Sequence, residues 1–357
     1  PFVAVNCGAL TEELLGSEDV LRSTLDTELA DVAERFGDAR RTALLDSAGP
    51  APAAADLEVP DEPCHVLVSV TGMAARTGGA ELPRAGSKRV THDALLALVP
   101  ATTRGQVAVV LSDAQLMPLD VVDLPTVPDT ADSPSLKATV GLREFLHVPA
   151  DVEVVGVVPF GATIALVTAL GKAKRLELEA GARQVMALDA KDALVAAVVA
   201  QPDDDLVFLS SAGQLLRSAL DTVPVQGPGA RGVAGMKLKA DARVVAAGTG
   251  SPASLVVTVA GKGAAASSVK VTALEAFPRT GRDGVGVRCH RLLAAESALL
   301  GGFIGTTPLA CSPGGKPLPL PELDDRRDAS GTPSPAAKVL VGAAAPPPEI
   351  IEGVLFG

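Results

Sequence analysis

A hairpin-like unit recurs six times along this chain. Each copy is a short apolar run, a turn of small residues, and a second run that often carries Lys or Arg. The copies are LVSVTGMAAR (67–76), AVVLSDAQLMPL (108–119), ALVTALGKAKRL (165–176), LVFLSSAGQLLR (206–217), LVVTVAGKGAAA (255–266) and PLACSPGGKPLP (308–319). We expect the turns at Gly72, Ala114, Gly171, Gly213, Gly261 and Gly314, spaced by about 48 residues on average.

Repeats of this length are typical of β-propeller blades. A single hairpin cannot bury both of its apolar faces, whereas six hairpins arranged in a ring can. The sequence therefore predicts a mostly β fold, a six-bladed β-pinwheel or propeller preceded by a short α-helical segment. A pair of packed β-sheets, as in a β-sandwich, is the alternative.

One helix is expected before the repeats. Leu21, Leu25, Leu29, Val32 and Phe36 form an apolar stripe at helical spacing, with Ser17 as the expected N-cap and Gly37 as the stop. A Pro/Ala-rich stretch then separates this helix from the first repeat. The expected organisation is an unassigned segment (1–13), a helical segment (14–47), a linker (48–63), the six-bladed ring (64–345) and a tail (346–357).

The charge of the chain is unevenly distributed. The net charge is -11, and residues 1–63 account for -10 of it, with 14 acidic and 4 basic side chains. The remaining residues are almost neutral, so the repeats can still carry a basic surface. The chain has no Tyr and no Trp. It therefore offers no tyrosine for a covalent DNA intermediate and no Tyr/Trp platform for stacking single-stranded bases.

Signals for catalysis and for metal binding are weak. The four cysteines form no CxxC pair, and we expect no metal and no cofactor. Two polar clusters, Thr91-His92-Asp93 and Asp203-Asp204-Asp205, are better explained as turns than as a triad and a metal site. The apolar stretch 154–170 is interrupted by Pro159-Phe160-Gly161, which favours two strands over a membrane helix. We expect a cytoplasmic protein without a membrane segment.

The order of these elements resembles the A subunit of bacterial type IIA topoisomerases, DNA gyrase and topoisomerase IV. LLGSEDVLRSTLDTELADVAERFGDARRT (14–42) is similar to the end of the coiled-coil arm in that family, and the six repeats resemble its C-terminal β-pinwheel. DDDLVFLSSAGQLLRSALDTVPVQGPGARGVAGMKL (203–238) looks especially like actinobacterial A subunits. The family cleaves DNA with a tyrosine in another domain. The resemblance therefore implies a C-terminal fragment that cannot cleave DNA alone.

The resemblance implies a module that binds and bends double-stranded DNA along its rim, through contacts to phosphates. The partner of the full-length subunit would be the ATPase (B-type) subunit. The implied DNA-binding residues are Arg76, Lys88, Arg89, Lys172, Lys174, Arg175, Arg217, Arg231, Lys237, Lys239, Lys262, Arg279, Arg282, Arg288 and Arg291. The alternative function is a protein–protein interaction scaffold with degraded DNA contacts.

Gyrases carry a QRRGGRG box in the loop after their first hairpin, where it is linked to chiral wrapping of DNA. The corresponding place here reads ELPRAGSKR (81–89), without Gln and without paired Gly. The resemblance therefore favours a role like that of topoisomerase IV, decatenation and relaxation, over negative supercoiling. Residues 1–18 resemble a piece of an AAA+ transcription activator instead, but without its phosphate-binding loop, and we transfer no ATPase function from them.

Overall fold

A computed structural model of the chain describes residues 17–37, 59–128, 133–239 and 241–346. The chain divides into two units, Pro1–Leu57 and Glu58–Gly357. The unassigned segment 1–13 lies outside the described residues. So do most of the linker and all of the tail after its first residue. None of the described helices is both long and apolar enough to cross a membrane.

The first unit contains helix α1 (Glu18–Phe36). The carbonyl of Ser17 accepts the first helical hydrogen bond, from Leu21 N at 3.0 Å, and the Gly37 N–H donates to Ala33 O at 2.8 Å. The acidic side chains of Glu18 and Asp19 lie in the first turn, where the helix dipole favours negative charge. The five apolar side chains of the predicted stripe are all exposed, from 48% for Leu21 to 75% for Phe36.

The second unit is built from short strands. The first eleven are β1 (Pro63–Ser69), β2 (Met73–Thr77), β3 (Leu95–Thr102), β4 (Gln106–Leu111), β5 (Leu116–Asp120), β6 (Thr126–Val127), β7 (Val140–Gly141), β8 (Val154–Pro159), β9 (Thr163–Thr168), β10 (Lys172–Glu177) and β11 (Leu194–Val199). The others are β12 (Asp205–Ser210), β13 (Gln214–Ala219), β14 (Val233–Ala234), β15 (Val244–Gly250), β16 (Leu255–Lys262), β17 (Ala265–Ala273), β18 (Val287–Arg288), β19 (Ala298–Gly305), β20 (Pro308–Cys311), β21 (Pro317–Leu318), β22 (Thr332–Pro333) and β23 (Leu340–Ala343).

Short helices follow several of the strands. Helix α2 spans Leu142–Phe145, and one-turn 3-10 helices span Val121–Asp123, Leu220–Thr222 and Leu274–Ala276. The three 3-10 helices each follow the second strand of a hairpin. Each begins with a buried apolar residue, so the turn is anchored in the core.

Each sequence repeat forms the central hairpin of one blade. The hairpins are β1–β2, β4–β5, β9–β10, β12–β13, β16–β17 and β20–β21. A third strand of each blade pairs with the first strand of its hairpin, and these third strands are β3, β8, β11, β15, β19 and β23. All of these pairs are antiparallel. The predicted six-bladed, mostly β fold is confirmed.

The ring is closed by its third strands. They contact one another in chain order, β3 with β8, β8 with β11, β11 with β15, β15 with β19, and β19 with β23. The last of them returns to the first through the pair Ala343–Leu95. Apolar residues of these strands, among them Leu96, Val154 and Leu300, line a central opening. The first and last blades therefore share one continuous sheet.

The core lies between neighbouring blades rather than in one central mass. Successive side chains of a strand point to opposite faces. In β12, Leu206 and Phe208 pack toward the third blade, and Val207 and Leu209 pack toward the fifth. Both faces of the strand are buried, which is why the central strands read as continuous apolar runs rather than as alternating patterns.

Four of the blades, the first, third, fourth and fifth, receive a short outer strand from the next repeat along the chain. Strand β14 follows the hairpin of the fourth blade but pairs with β10 of the third. Likewise β18 pairs with β13 and β22 pairs with β17, and β6 and β7 both pair with β2. Neighbouring blades are thus joined by an exchanged strand as well as by their cores, in the manner of a pinwheel.

The backbone φ angles in the hairpins show where each turn lies, and they can be compared with the turn positions predicted from the sequence. Gly72, Ala114, Gly171 and Gly213 all have positive φ, as a tight turn requires. The predictions of Gly261 and Gly314 were wrong by one or two residues, because the positive φ values lie at Gly263 and Gly315. In the fifth repeat a bulge between Ala260 and Gly261 extends the strand beyond the expected turn.

Candidate nucleic-acid interface

Two Gly-rich basic segments, residues 225–239 and 279–292, lie side by side on the outer edge of the ring. The first supplies β14 to the third blade, and the second supplies β18 to the fourth. The Lys237 N–H donates to Gly284 O at 2.9 Å, and Arg282 Nη1 donates to Ala234 O at 3.1 Å. We call these two segments together the basic sector.

The contact between the two segments is one instance of a repeated bond. Backbone N–H groups of Ala187, Lys237 and Arg291 donate to the carbonyls of Ala230, Gly284 and Ala329, at 3.3, 2.9 and 3.0 Å respectively. Four consecutive loop segments, residues 179–191, 225–239, 279–292 and 323–333, are therefore linked edge to edge. We call this continuous strip of backbone the rim band, and the basic sector is its middle part.

The positive charge of the rim band is concentrated in its middle. The basic sector holds seven basic residues and one acidic residue, a net charge of +6, although the chain from residue 64 onward is nearly neutral. All seven cations of the sector are exposed. Arg279 pairs with Asp205, and the other six are Arg231, Lys237, Lys239, Arg282, Arg288 and Arg291. Within the described part of the chain, only Arg231 among these six forms an ion pair, with Asp189 at 3.1 Å.

Four exposed cations of the rim band were not predicted as site residues. They are Arg183, Lys191, Arg326 and Arg327, in the two outer segments of the band. Those segments also carry acidic residues, among them Asp324, Asp325 and Asp328, so their local charge stays close to zero. The segments could have been found in the sequence as further copies of the loop that follows each hairpin.

Three predicted arginines are partly buried at the rim, and two of them brace it from the inside. Arg175 Nε donates to Val223 O at 2.6 Å, and Arg217 Nη1 donates to the carbonyls of Leu274 and Phe277 at 3.2 Å. Arg76 is half-buried at the corresponding position of the first blade. The Arg175 and Arg217 guanidinium groups thus support the segments that follow the hairpins, whereas Arg76 Nη1 donates to Thr77 O at 3.5 Å within its own strand.

Asp205 ties two of the predicted site residues together. Its carboxylate accepts a hydrogen bond from Arg217 Nε at 2.6 Å and pairs with Arg279 Nε. The Asp205 side chain is 5% exposed and that of Arg217 is 11% exposed. The acidic run 203–205 therefore ends in a structural ion pair. Within the described residues, no group of three or more His, Cys, Asp and Glu side chains is placed to hold a metal ion.

The densest cluster of predicted DNA-binding residues lies in the third repeat, and the structure places its two lysines in different environments. Lys172 is half-buried and pairs with Asp189 at 2.5 Å, and its hydrogen bond lowers the pKa of the Asp189 carboxyl. Lys174 is fully buried, and its ammonium group donates to three backbone carbonyls of the rim band. Burial lowers the pKa of Lys174 to about 8. Of these two lysines, only Lys172 reaches the surface.

The loop after the first hairpin fastens the first blade to the last. Arg89 Nη2 donates to Asp93 Oδ1 at 2.8 Å and to Ala310 O at 2.9 Å, and Arg89 Nη1 donates to Leu318 O at 3.4 Å. The His92 N–H donates to Gly315 O at 2.9 Å. Thr91 and His92 form the turn that the sequence predicted. Lys88 and Lys262 are exposed but lie outside the rim band.

A comparison with known proteins finds a family model that overlaps the basic sector. A family model described as the DNA gyrase C-terminal domain, a β-propeller, matches residues 204–249 and 266–291. These residues contain the whole sector except its last residue. These two stretches of the β region are therefore similar to the DNA gyrase C-terminal domain.

Relatives of this family match most of the chain. The DNA gyrase A subunit of Mycobacterium bovis is 26% identical over 317 residues, which cover 82% of this chain and 36% of the relative. The gyrase A subunit of Pseudomonas aeruginosa is 32% identical over 135 residues, covering 36% of this chain and 14% of the relative. The chain spans about a third of the length of its mycobacterial gyrase A relatives. The predicted actinobacterial resemblance is consistent with these mycobacterial matches.

Solved structures of the family share the fold. The C-terminal domain of DNA topoisomerase IV superimposes with a TM-score of 0.60 at 18% identity, covering 80% of this chain and 94% of that one. The DNA gyrase A C-terminal domain gives a TM-score of 0.55 at 17% identity, covering 79% of this chain and 99% of that one. These structures confirm the predicted fold, and the family model and the relatives bear out the predicted resemblance to the A subunits.

One buried polar cluster in this domain has the residue types of a hydrolase but not their geometry. Ser268 Oγ donates to Glu296 Oε1 at 2.5 Å, and His290 Nε2 accepts the Gly331 N–H at 3.2 Å. His290 Nδ1 lies 2.9 Å from Thr258 Oγ1, and the histidine is 1% exposed. Burial lowers the pKa of His290 to about 4, so the ring is neutral at pH 7. Through His290 and Gly331, the cluster holds two rim segments, 279–292 and 323–333, against the fifth blade.

Proposed function

We propose that the basic sector binds duplex DNA through its phosphates. The observation that carries this proposal is the net charge of +6 on one continuous strip of backbone, in a ring whose other residues between 64 and 345 carry 20 basic and 25 acidic side chains, a net charge of -5. Lys and Arg side chains that approach phosphates release condensed counterions, which favours binding without regard to base sequence. The named relatives are DNA gyrase and DNA topoisomerase IV subunits, which makes DNA the ligand to test.

We also propose that the bound DNA is bent. Successive blades of a six-bladed ring are rotated by about 60°. A duplex that contacts the edges of two or three blades must follow this curvature. Bending 20–30 base pairs by 40–90° costs roughly 1–6 kcal/mol. Six phosphate contacts can offset that cost, whereas one or two cannot, so the cations must act as a group.

The salt dependence of binding tests the proposal. If the six exposed cations of the sector other than Arg279 each neutralise one phosphate, log Kobs should fall against log[salt] with a slope of about -5. We expect this slope for the full chain with a 30-base-pair duplex between 50 and 200 mM salt, measured by fluorescence anisotropy. Two duplexes of unrelated sequence should give the same slope. A slope shallower than about -1, or no binding at 50 mM salt, would contradict the proposal.

The finer role proposed for the full-length subunit, with its ATPase subunit as partner in the cytoplasm, is relaxation and decatenation. Residues 81–89 lack the Gln and the paired Gly of the gyrase box, and Arg89 is engaged in closing the ring. We expect the reconstituted enzyme to separate linked DNA circles with ATP and to leave relaxed plasmid without negative supercoils. Gel electrophoresis of both reactions measures this. Supercoiling of relaxed plasmid would show that the role is that of a gyrase.

A further inference from the structure

Two lysines occupy the same structural position in different blades. Lys174 lies in β10 and is followed by Arg175, which forms a parallel bridge with Val225 of the next rim segment. Lys270 lies in β17 and is followed by Val271, which forms the same kind of bridge with Leu323. Both lysines are almost completely buried, at 0% and 2% exposure. Lysine is rarely buried without a partner, so the repeat calls for a specific explanation.

Each ammonium group is held by three carbonyls of a rim loop. Lys174 Nζ donates to Gly227 O, Pro228 O and Ala230 O, at 2.7, 3.3 and 3.3 Å. Lys270 Nζ donates to Arg326 O, Arg327 O and Ala329 O, at 3.0, 2.5 and 3.4 Å. An ammonium has three donors and no acceptor, so three carbonyls satisfy it completely.

The two loops have matching conformations. In the first loop the Ala230 N–H donates to Gly227 O at 3.1 Å, and in the second loop the Ala329 N–H donates to Arg326 O at 3.3 Å. In both loops this bond joins the residues that supply the third and the first carbonyl to the lysine. The same lysine–loop arrangement is therefore built twice. The first and fourth blades have Ala75 and Leu216 at this position instead, both of them buried.

The lysines determine which groups of the loop face outward. Their charge turns three carbonyl oxygens, which would repel a phosphate, toward the interior. Beside these carbonyls, the side chains of Arg231 and Arg327 are exposed on the rim band. Without the ammonium, Pro228 O in the first loop and Arg327 O in the second would be left without a donor, whereas the other carbonyls also accept backbone N–H groups. The loop would then have to rearrange to reach water.

We propose that Lys174 and Lys270 are positioning residues for DNA binding. They touch no phosphate, but they hold the two rim loops so that Arg231 and Arg327 project toward the DNA backbone. This inference rests on the proposed function of the rim band. It adds that two cations inside the ring set the geometry of cations on its surface.

A double-mutant cycle with Lys174→Met and Arg231→Gln tests the inference on the third blade. We expect each single substitution to weaken binding to the 30-base-pair duplex about 3- to 10-fold at 100 mM salt. The double substitution should weaken it no more than one alone, because Lys174 acts through Arg231. Lys237→Met with Arg231→Gln is the matched control, and those two losses should multiply.

Hydrogen exchange without DNA supplies an independent readout. Amides of residues 227–232 should exchange faster in Lys174→Met and at the wild-type rate in Lys237→Met. Wild-type affinity in folded Lys174→Met, or losses that multiply with Arg231→Gln, would overturn the inference. Lys270→Met with Arg327→Gln repeats the cycle on the fifth blade and decides the question if Lys174→Met does not fold. If the wild-type chain binds no DNA, the proposed function fails. The exchange data then still show whether the lysines hold the loops.

Discussion

Replacing Asp205 with alanine is expected to lower the free energy of unfolding by about 3–5 kcal/mol. Asp205 is 4% exposed and pairs with both Arg217 and Arg279. Without the carboxylate, the guanidinium of Arg217 keeps only its bonds to the carbonyls of Leu274 and Phe277. A buried charge that loses its counterion retains the full cost of its desolvation, which makes this substitution more damaging than an ordinary surface change.

The ion pair also joins two blades. Asp205 and Arg217 belong to β12 and β13 of the fourth blade, whereas Leu274 and Phe277 follow β17 of the fifth. We therefore expect the loss in Asp205→Ala to appear as one cooperative transition at lower urea concentration, followed by circular dichroism on the full chain. Asp203→Ala is the matched control, because Asp203 is an exposed carboxylate two residues away, and it should change stability by less than about 0.5 kcal/mol. Equal midpoints for the two variants would show that the pair contributes little.

The ring could be predicted because the apolar runs that drive its folding are short and continuous in the sequence. Each repeat contains a run such as LVFLS that is apolar at consecutive positions, and such a strand must be covered on both faces. Six of these runs at regular spacing allow a closed ring, since every face then meets a neighbouring blade. Glycines mark most of the turns because they adopt positive φ without strain.

The site could be predicted only in part, because burial of its cations depends on distant segments. Lys172 and Lys174 are two residues apart in one strand and look equivalent in the sequence. The loop that covers Lys174 comes from more than 50 residues further along the chain, carried there by the exchanged strand β14. The same exchange, through β22, places Arg326 and Arg327 on the rim, and in the sequence only their place after the sixth hairpin indicates that position.

The largest change in DNA binding is expected from removing the unpaired cations of the basic sector together. Lys237, Lys239 and Arg291 are exposed, and each lacks an ion pair within the described residues. The triple substitution of these residues with glutamine should reduce the slope of log Kobs against log[salt] by about 2 to 3. Affinity for the 30-base-pair duplex at 100 mM salt should fall by roughly 10- to 100-fold, because three phosphates keep their counterions.

A control variant separates the position of the charges from their number. Glutamine at Arg22, Arg35 and Lys338 removes the same charge from helix α1 and from the central opening of the ring. Long-range attraction alone would weaken both triple variants equally, and would weaken them less as salt screens it. Direct phosphate contact predicts that the control keeps the wild-type slope. Equal slopes in the two triple variants would therefore exclude the basic sector as the DNA-binding surface, whatever the affinity of the wild-type chain.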